Sequence, residues 1–338
     1  MKLVYNNMKP CLLTTYVSGV DYQAFIPLLV YSCKYAYPEY DIMLFLHEHL
    51  DEEVKDLMLK SGLYDKVVIK ENTFNYGEKK LDPLKARSYR WLLWDDSFMN
   101  YQYLYIVDID MFYIREPKPL HIQHSERMAS TGLPFDNIQR YSYLHSRSLK
   151  SILRRIKYCH FHNLFHFLFG EREMDLRLSG LHFIDIHKFY TNENIKFICE
   201  LREKMKGRVF FPDVITPNDE SLLYYIVTKL GYDISKLGEQ KDLVSMLDFN
   251  NNLRKSFRPH HGIHLGIFKK SSFDHLCDRY KKIYKPVLDS NVYNYYINQY
   301  KEICKSGDFQ SFYKLLPSPI RIYMERLHSY YLLAELKS

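Results

Sequence analysis

The first third of the chain alternates short apolar, β-rich runs with helical periodicity, and this alternation restricts the fold more than any other feature. Residues 11–17 form a β-rich run, and 25–35 carry apolar side chains at helical spacing that stops before Pro38. Residues 41–46 (DIMLFL) are apolar enough for a strand covered on both faces. Asp51, Glu52 and Glu53 put acids in a first helical turn, Val54, Leu57 and Met58 form its apolar stripe, and Gly62 ends it. Residues 66–70 (KVVIK) predict a third strand, 84–94 an amphipathic helix and 103–107 (YLYIV) a fourth strand. Strands separated by helices predict an α/β chain whose mostly parallel sheet carries helices on both faces.

The middle of the chain changes character. Residues 145–170 carry Arg147, Lys150, Arg154, Arg155 and Lys157 among aromatics, with no acid. The run 178–186 (LSGLHFIDI) predicts another strand, 193–206 a helix, and Pro217-Asn218-Asp219-Glu220 the start of a helix striped by Leu222, Leu223, Ile226, Val227 and Leu230. Residues 258–272 predict a loop or strand end, and the chain from Phe273 onward is helical, tyrosine-rich and basic. The expected organisation is one α/β domain over 1–272, with 145–170 as a basic aromatic insertion, and a helical extension over 273–338.

Composition removes several classes. Only 12 of 338 residues are glycine, well below the usual share of about 7%. Neither GxGxxG nor GxxxxGK[ST] occurs, so glycine-rich phosphate cradles of the dinucleotide-binding and P-loop kinds are excluded. The net charge of +7 is too mild for a dedicated nucleic-acid binder, and no nucleic-acid partner is expected. Cys11, Cys33, Cys159, Cys199, Cys277 and Cys304 are scattered without a CxxC pair, which fits reduced thiols and excludes zinc ribbons and disulfide scaffolds. The start Met1-Lys2-Leu3-Val4-Tyr5-Asn6-Asn7 turns polar too soon for a signal peptide. No apolar run approaches the roughly 18 residues of a membrane span. A cytoplasmic protein is expected, with attachment to the inner face of the cell membrane as its closest approach to lipid.

Four groups of residues can carry chemistry. Val107-Asp108-Ile109-Asp110 follows the fourth strand, where residues two apart share a face. Asp108 and Asp110 then point together while Ile109 turns to the core. Two carboxylates at the carboxyl edge of such a sheet suit a divalent cation; two solvated acids at a turn is the plainer alternative. Lys85, Arg87 and Arg90 on the preceding helix can reach an anion there, or simply form a solvated basic face. Asn218-Asp219-Glu220 serves as an ordinary helix cap with first-turn acids, or sets a carboxylate beside a reacting carbon. His260, His261 and His264 cluster near Gly266 and Lys269, and neutral imidazole beside carboxylates suits Mn²⁺-type ions.

In this order the pieces resemble the GT-A nucleotide-sugar glycosyltransferases, nearest to glycosyltransferase family 8. Lys85-Ala86-Arg87-Ser88-Tyr89-Arg90 is similar to that family's Lys-Ala…Tyr-Arg helix, and YLYIVDID to its apolar strand ending in Asp-x-Asp. Ser179-Gly180-Leu181-His182-Phe183-Ile184 resembles its Asn-Ser-Gly-apolar strand, with Leu178 in place of Asn. Asp219-Glu220-Ser221-Leu222-Leu223 resembles its Asp-Gln-x-x-Leu helix start, and the Asp-Glu-Ser of family 6 still more closely. His264-Leu265-Gly266-Ile267-Phe268-Lys269 resembles its His-x-x-Gly-x-x-Lys loop, but with the histidine two residues before the glycine and no Pro-Trp after the lysine.

The resemblance covers about residues 10–270 and implies a GT-A fold: a Rossmann-like, mostly parallel sheet flanked by helices. It implies a metal-dependent, retaining transferase that moves a hexose, galactose or glucose first, from a UDP-sugar to a glycan or lipid-linked acceptor in cell-surface polysaccharide or lipopolysaccharide synthesis. Mn²⁺, or Mg²⁺, would be held by Asp108, Asp110 and His264, with His261 as the alternative histidine. Donor contacts would come from Thr15, Tyr16, Lys85, Arg90, Asp108, Ile109, Asp110, Ser179, Gly180 and Lys269, with Tyr16 stacking on the base. Asp219 would bond sugar hydroxyls, and Glu220 would act as nucleophile or electrostatic stabiliser below the anomeric carbon. An inverting transferase, with Glu220 as base, is the alternative enzyme. The basic aromatic segment 145–170, and the similar mix in Lys314, Arg321, Tyr323, Arg326, Tyr330 and Tyr331, fit an anionic membrane surface; a non-catalytic membrane- or nucleic-acid-binding protein is the alternative of another class.

Overall fold

The computed structural model describes residues 8–77, 81–143, 153, 156–157, 174–180, 182–206, 219–238, 261–269 and 291–335. The expected mixed α/β architecture is present. Six strands form the main sheet in the order β3-β2-β1-β4-β9-β6. They are β1 (Lys9–Val17), β2 (Asp41–Leu46), β3 (Val68–Lys70), β4 (Tyr101–Ile106), β6 (Phe135–Asp136) and β9 (His182–Asp185). The first four are parallel, β9 runs antiparallel to β4, and β6 runs antiparallel to β9. Two small antiparallel pairs flank this sheet. In one, β5 (Met111–Tyr113) pairs with β10 (Gly262–His264); in the other, β7 (Gln139–Tyr143) pairs with β8 (Met174–Leu178).

Side chains alternate across the sheet as the period of two requires. Cys11, Leu13 and Val17 of β1 join one apolar cluster, while Leu12 and Tyr16 join the other. Helices Ile26–Ala36 and Glu52–Lys60 cover the first face, and Pro83–Tyr89, Asn192–Lys204 and Asp219–Lys229 cover the second. Helix ends follow local chemistry: Asp51 caps its helix by accepting from Glu53 and Val54 N–H at 3.1 and 3.2 Å. Gly62, at φ 64°, takes the left-handed conformation that lets Leu63 N–H reach the Met58 carbonyl at 2.9 Å.

Several boundaries differ from the sequence expectation. The third strand starts at Val68, because Tyr64–Lys66 winds into one tight turn after Gly62. The helix expected over 84–94 ends as α at Tyr89 and tightens into a 3₁₀ turn over Arg90–Leu92. The run LSGLHFIDI is two strands in two sheets. The break at Ser179 has a visible cause: Asn137 Oδ1 and the Ile138 carbonyl accept the Ser179 N–H at 3.0 and 3.1 Å, which draws the chain out of register. The C-terminal helices Asn291–Lys305, Gly307–Leu315 and Ser318–Glu335 place Tyr296, Tyr300, Phe309, Phe312 and Met324 in the same cluster as Leu13, Leu44 and Phe112. Of the basic aromatic segment 145–170, only Leu153, Ile156 and Lys157 are described. The two apolar residues are exposed, and Lys157 pairs with Asp82 at 2.8 Å; the rest of that expectation lies outside the described residues.

A buried charge cluster fixes the far edge of the sheet. Asp136 accepts from His124 Nδ1 at 2.6 Å and from Arg127 Nε at 2.8 Å. Burial alone would raise the Asp136 carboxyl, but Arg127 and His124 outweigh it and hold the group below the ordinary carboxylate range. Its contribution to stability is therefore present above the unfolded value of about 3.9 and is lost as pH falls through the lower folded value. Asp136→Asn is expected to cost about 3–5 kcal/mol at neutral pH by leaving Arg127 without its charge partner. It should also flatten the stability–pH curve below about pH 4, as urea titrations from pH 7 to pH 2 will show.

Candidate active site

The strand β4 ends at Ile106, so Asp108 and Asp110 sit on the turn that leads into β5 rather than on the strand. Ile109 faces the core, as expected, and joins the same apolar cluster as Phe112. Each carboxylate has its own cationic partner. Asp108 receives Nη1 of Arg90, whose Nη2 donates to Asp219 Oδ2 at 2.8 Å. Arg90 and Asp219 side chains are only 8% and 7% exposed, so this bridge is dry. Burial works against the guanidinium charge, but Asp108 and Asp219 outweigh it and hold Arg90 firmly protonated. The guanidinium also lies 4.2 Å from the Trp91 ring centroid.

The second carboxylate meets a histidine from far downstream. In the β5–β10 pair, His264 faces Met111, and Leu265 N–H donates to the Asp110 carbonyl at 2.9 Å. That register sets His264 Nε2 3.1 Å from Asp110 Oδ1. Burial alone would lower the imidazole, but Asp110 raises it to about 9. Burial would raise the Asp110 carboxyl, and His264 holds it down instead. Gly266 completes the turn: a Cβ there would overlap Asp110 Oδ2 and lie 3.1 Å from His264 Nε2.

Gly180 marks where the remaining groups converge. A Cβ at this position would lie 3.2 Å from Arg90 Nη2, 3.8 Å from Asp108 Oδ2 and 3.9 Å from Glu220 Oε1. Glycine here lets the three groups crowd around one point of the turn. Asp219 and Glu220 begin the helix Asp219–Lys229, and Glu220 Oε2 pairs with Arg177 Nη1 at 3.3 Å. Sequence reasoning missed Arg177. Its signal was an arginine between Leu176 and Leu178, two residues before the Ser-Gly turn.

The structure thus brings together Arg90, Asp108, Asp110, Gly180, Asp219, Glu220 and His264. Other expected residues lie elsewhere. His261 is buried between Glu116 and His124, at 2.9 Å from each, so His264 and not His261 faces the Asp-x-Asp turn. Lys85 sends its ammonium to the Lys206 carbonyl at 3.3 Å. Thr15 is buried in β1 opposite Leu44. Tyr16 is buried with its ring stacked on Phe74, centroids 5.6 Å apart, and its hydroxyl lies between His47 Nδ1 at 2.8 Å and the Thr73 carbonyl at 2.9 Å. Ser179 orients the turn through its backbone bonds to Asn137. The Lys269 side chain and His260 lie outside the described residues.

Among the described residues, no three acidic, histidine or cysteine side chains gather as a ready cation cage. The donor chemistry nevertheless fits a hard or borderline divalent ion. Asp110 and His264 converge to 3.1 Å, Asp108 adds a carboxylate on the same turn, and Gly266, having no side chain, lets Asp110 and His264 pack against it.

No protein-family model matches the chain, and no curated protein matches it by sequence. Solved structures similar to it include the mannosyltransferase Ktr4p of S. cerevisiae with GDP, at 11% identity and TM-score 0.39, covering 64% of this chain and 66% of that one. The galactosyltransferase LgtC with donor and acceptor sugar analogues aligns at 14% identity and TM-score 0.34, covering 63% and 69%. The glycosyltransferase GlyE of Streptococcus pneumoniae aligns at 11% identity and TM-score 0.38, covering 96% and 64%. The chain therefore spans about two thirds of the length of each of these proteins.

The Arg90 bridge is open to direct test. Arg90→Met should destabilise the fold by about 3–5 kcal/mol, because Asp108 and Asp219 would lose a shared buried counter-charge. A double-mutant cycle of Arg90→Met with Asp219→Asn, read by urea denaturation, should give a coupling of about 1–3 kcal/mol.

Proposed function

We propose that the chain is a glycosyltransferase that uses a nucleotide-sugar donor. One observation carries this reading: Arg90, Asp108, Asp110, Gly180, Glu220 and His264, drawn from separate segments, meet at the carboxyl end of a parallel sheet. Ligands bind at that edge in open α/β sheets. The groups there suit the departure of a sugar diphosphate: a fixed guanidinium, two carboxylates and a histidine able to take a divalent cation, and a separate carboxylate.

A divalent cation, Mn²⁺ or Mg²⁺, held by Asp110, His264 and Asp108 would neutralise the diphosphate as it leaves. Arg90 fixes the Asp108 carboxylate and locks Asp219 at the helix start, so both present a constant geometry without reorganising. Gly180, without a side chain, lets Arg90, Asp108 and Glu220 converge on one point of the turn. Glu220 is the group we assign beneath the anomeric carbon, as a nucleophile or as a stabiliser of oxocarbenium charge. Arg177, paired with it at 3.3 Å, fixes where the Glu220 carboxylate sits. We propose retention of configuration and a UDP-hexose donor, galactose or glucose first, on the order and type of the site segments. A glycan or lipid-linked acceptor in cell-surface polysaccharide or lipopolysaccharide synthesis follows from the basic aromatic composition of 145–170, which also suits a peripheral position on an anionic membrane. No helix among the described residues is long and apolar enough to cross a membrane.

A thermal-shift titration with UDP and Mn²⁺, separately and together, tests the reading, with GDP as the competing nucleotide. A shift that needs both ligands is expected, since binding to the native state at one hundred times Kd stabilises by about 2.7 kcal/mol. Absence of any nucleotide-plus-metal shift would overturn it. Asp110→Asn should abolish the metal-dependent part of nucleotide binding. Glu220→Gln should lower kcat by about a hundredfold or more while donor binding stays close to wild type.

A further inference from the structure

We infer, on the reading above, that the C-terminal helices belong to the donor site. Tyr296, through Glu116 and His261, and Arg326, through the Phe268 carbonyl, hold the strand and turn that carry His264.

The near end is fixed by a buried carboxylate. Glu116 is 1% exposed and takes donors from three directions. Tyr296 O–H and His261 Nδ1 reach Oε1 at 2.5 and 2.9 Å, and Gln123 Nε2 reaches Oε2 at 2.7 Å. The neighbouring Tyr295 O–H donates to the Arg115 carbonyl at 2.9 Å, so two adjacent tyrosines of helix Asn291–Lys305 grip the same stretch. His261 immediately precedes β10. Its Nε2 faces His124 Nε2 at 2.9 Å, and His124 continues to Asp136. The start of β10 is thereby tied on one side to the C-terminal helices and on the other to the far edge of the sheet.

The far end is fixed from helix Ser318–Glu335. Arg326 Nη1 donates to the Phe268 carbonyl at 3.2 Å. Between the two anchors, Gly262 sits at φ 137° with its Cα pressed on β5; a Cβ would overlap the Phe112 carbonyl oxygen. The strand has no room to slide towards β5. His264 and Gly266, opposite Asp110, are suspended between these fixed points.

The inference concerns position. A three-residue strand supplies few hydrogen bonds of its own, whereas a metal ligand must be held within about half an ångström of its working place. The bulk of the C-terminal packing is apolar and involves Tyr300, Ile303, Phe309, Phe312 and Met324. Removing the Tyr296 hydroxyl or the Arg326 guanidinium leaves that packing in place. What it removes is one donor from a buried carboxylate, or the tether on the turn. Tyr296 and Arg326 are thus positioning residues acting through His261 and Phe268.

The test is Mn²⁺ binding to the full chain, read by electron paramagnetic resonance of free and bound ion, with the ¹⁴N modulation of bound Mn²⁺ reporting imidazole ligation. Tyr296→Phe, Arg326→Met and Arg326→Lys are compared with wild type and Asp110→Asn, and urea midpoints monitor the fold. Tyr296→Phe and Arg326→Met should each weaken Mn²⁺ by about tenfold or more, with a diminished ¹⁴N signal, and Arg326→Met should keep a urea midpoint near wild type. Arg326→Lys should restore part of the affinity. Mn²⁺ affinities within about twofold of wild type in both variants, with an unchanged ¹⁴N signal, would overturn the inference and leave the metal site standing. Wild type that binds no Mn²⁺, or Asp110→Asn that binds it equally well, would overturn the site reading and this inference together. Should Tyr296→Phe lower the urea midpoint, the half-buried Arg326→Met decides alone.

Discussion

A single guanidinium holds the candidate site together. Arg90 is separated from Asp108 by 18 residues and from Asp219 by 129, yet bonds to both inside the protein. Without that cation, the buried Asp219 carboxylate would be left unpaired close to a second carboxylate, which is strongly unfavourable. With it, the end of β4 and the start of the helix Asp219–Lys229 are fixed relative to each other. Gly180 can then lie against Arg90 and Glu220 because no side chain competes for the space. The 3₁₀ turn over Arg90–Leu92 matters for the same reason, since it ends the α-helix at the point where the guanidinium must turn inward.

Much of the fold was legible because its signals are local. The run DIMLFL became β2 with the expected bounds, since both of its faces are buried. Asp51 and Gly62 bounded their helix because capping depends on a few neighbouring residues. The errors arose where a distant partner decides. The Ser-Gly pair in LSGLHFIDI marks a turn, but the bonds that break the strand there come from Asn137, 42 residues away. The helix expected over 84–94 ends as α at Tyr89, and Arg90 in the 3₁₀ turn that follows bonds to Asp108 and Asp219. Apolar periodicity cannot register such distant pairings.

The candidate site divides in the same way. Asp108, Asp110, Asp219, Glu220 and His264 were legible as residue types at turns and helix starts. Arg177 was not, since a lone arginine in a strand carries no sign of its partner until the helix Asp219–Lys229 is placed beside it. His261 and His264 were equivalent as letters. The pairing of β10 with β5 separates them: His264 falls beside Asp110, and His261 falls beside Glu116. Tyr16 looked like a stacking residue at a strand end, yet Phe74 and His47 already surround it.

The pairing of β5 with β10 also sets an order of events. Asp110 and His264 are 154 residues apart in the chain, so bringing them together closes a long loop and forfeits more chain entropy than the neighbouring parallel strands do. The sheet core from β1 to β4 can be made from the first third of the polypeptide alone. The Asp-x-Asp turn must then wait for residues that leave the ribosome much later. Until that happens the nascent chain exposes two carboxylates on a turn and lacks their histidine. A polypeptide interrupted between β9 and β10 would carry every strand of the main sheet and an unfinished site.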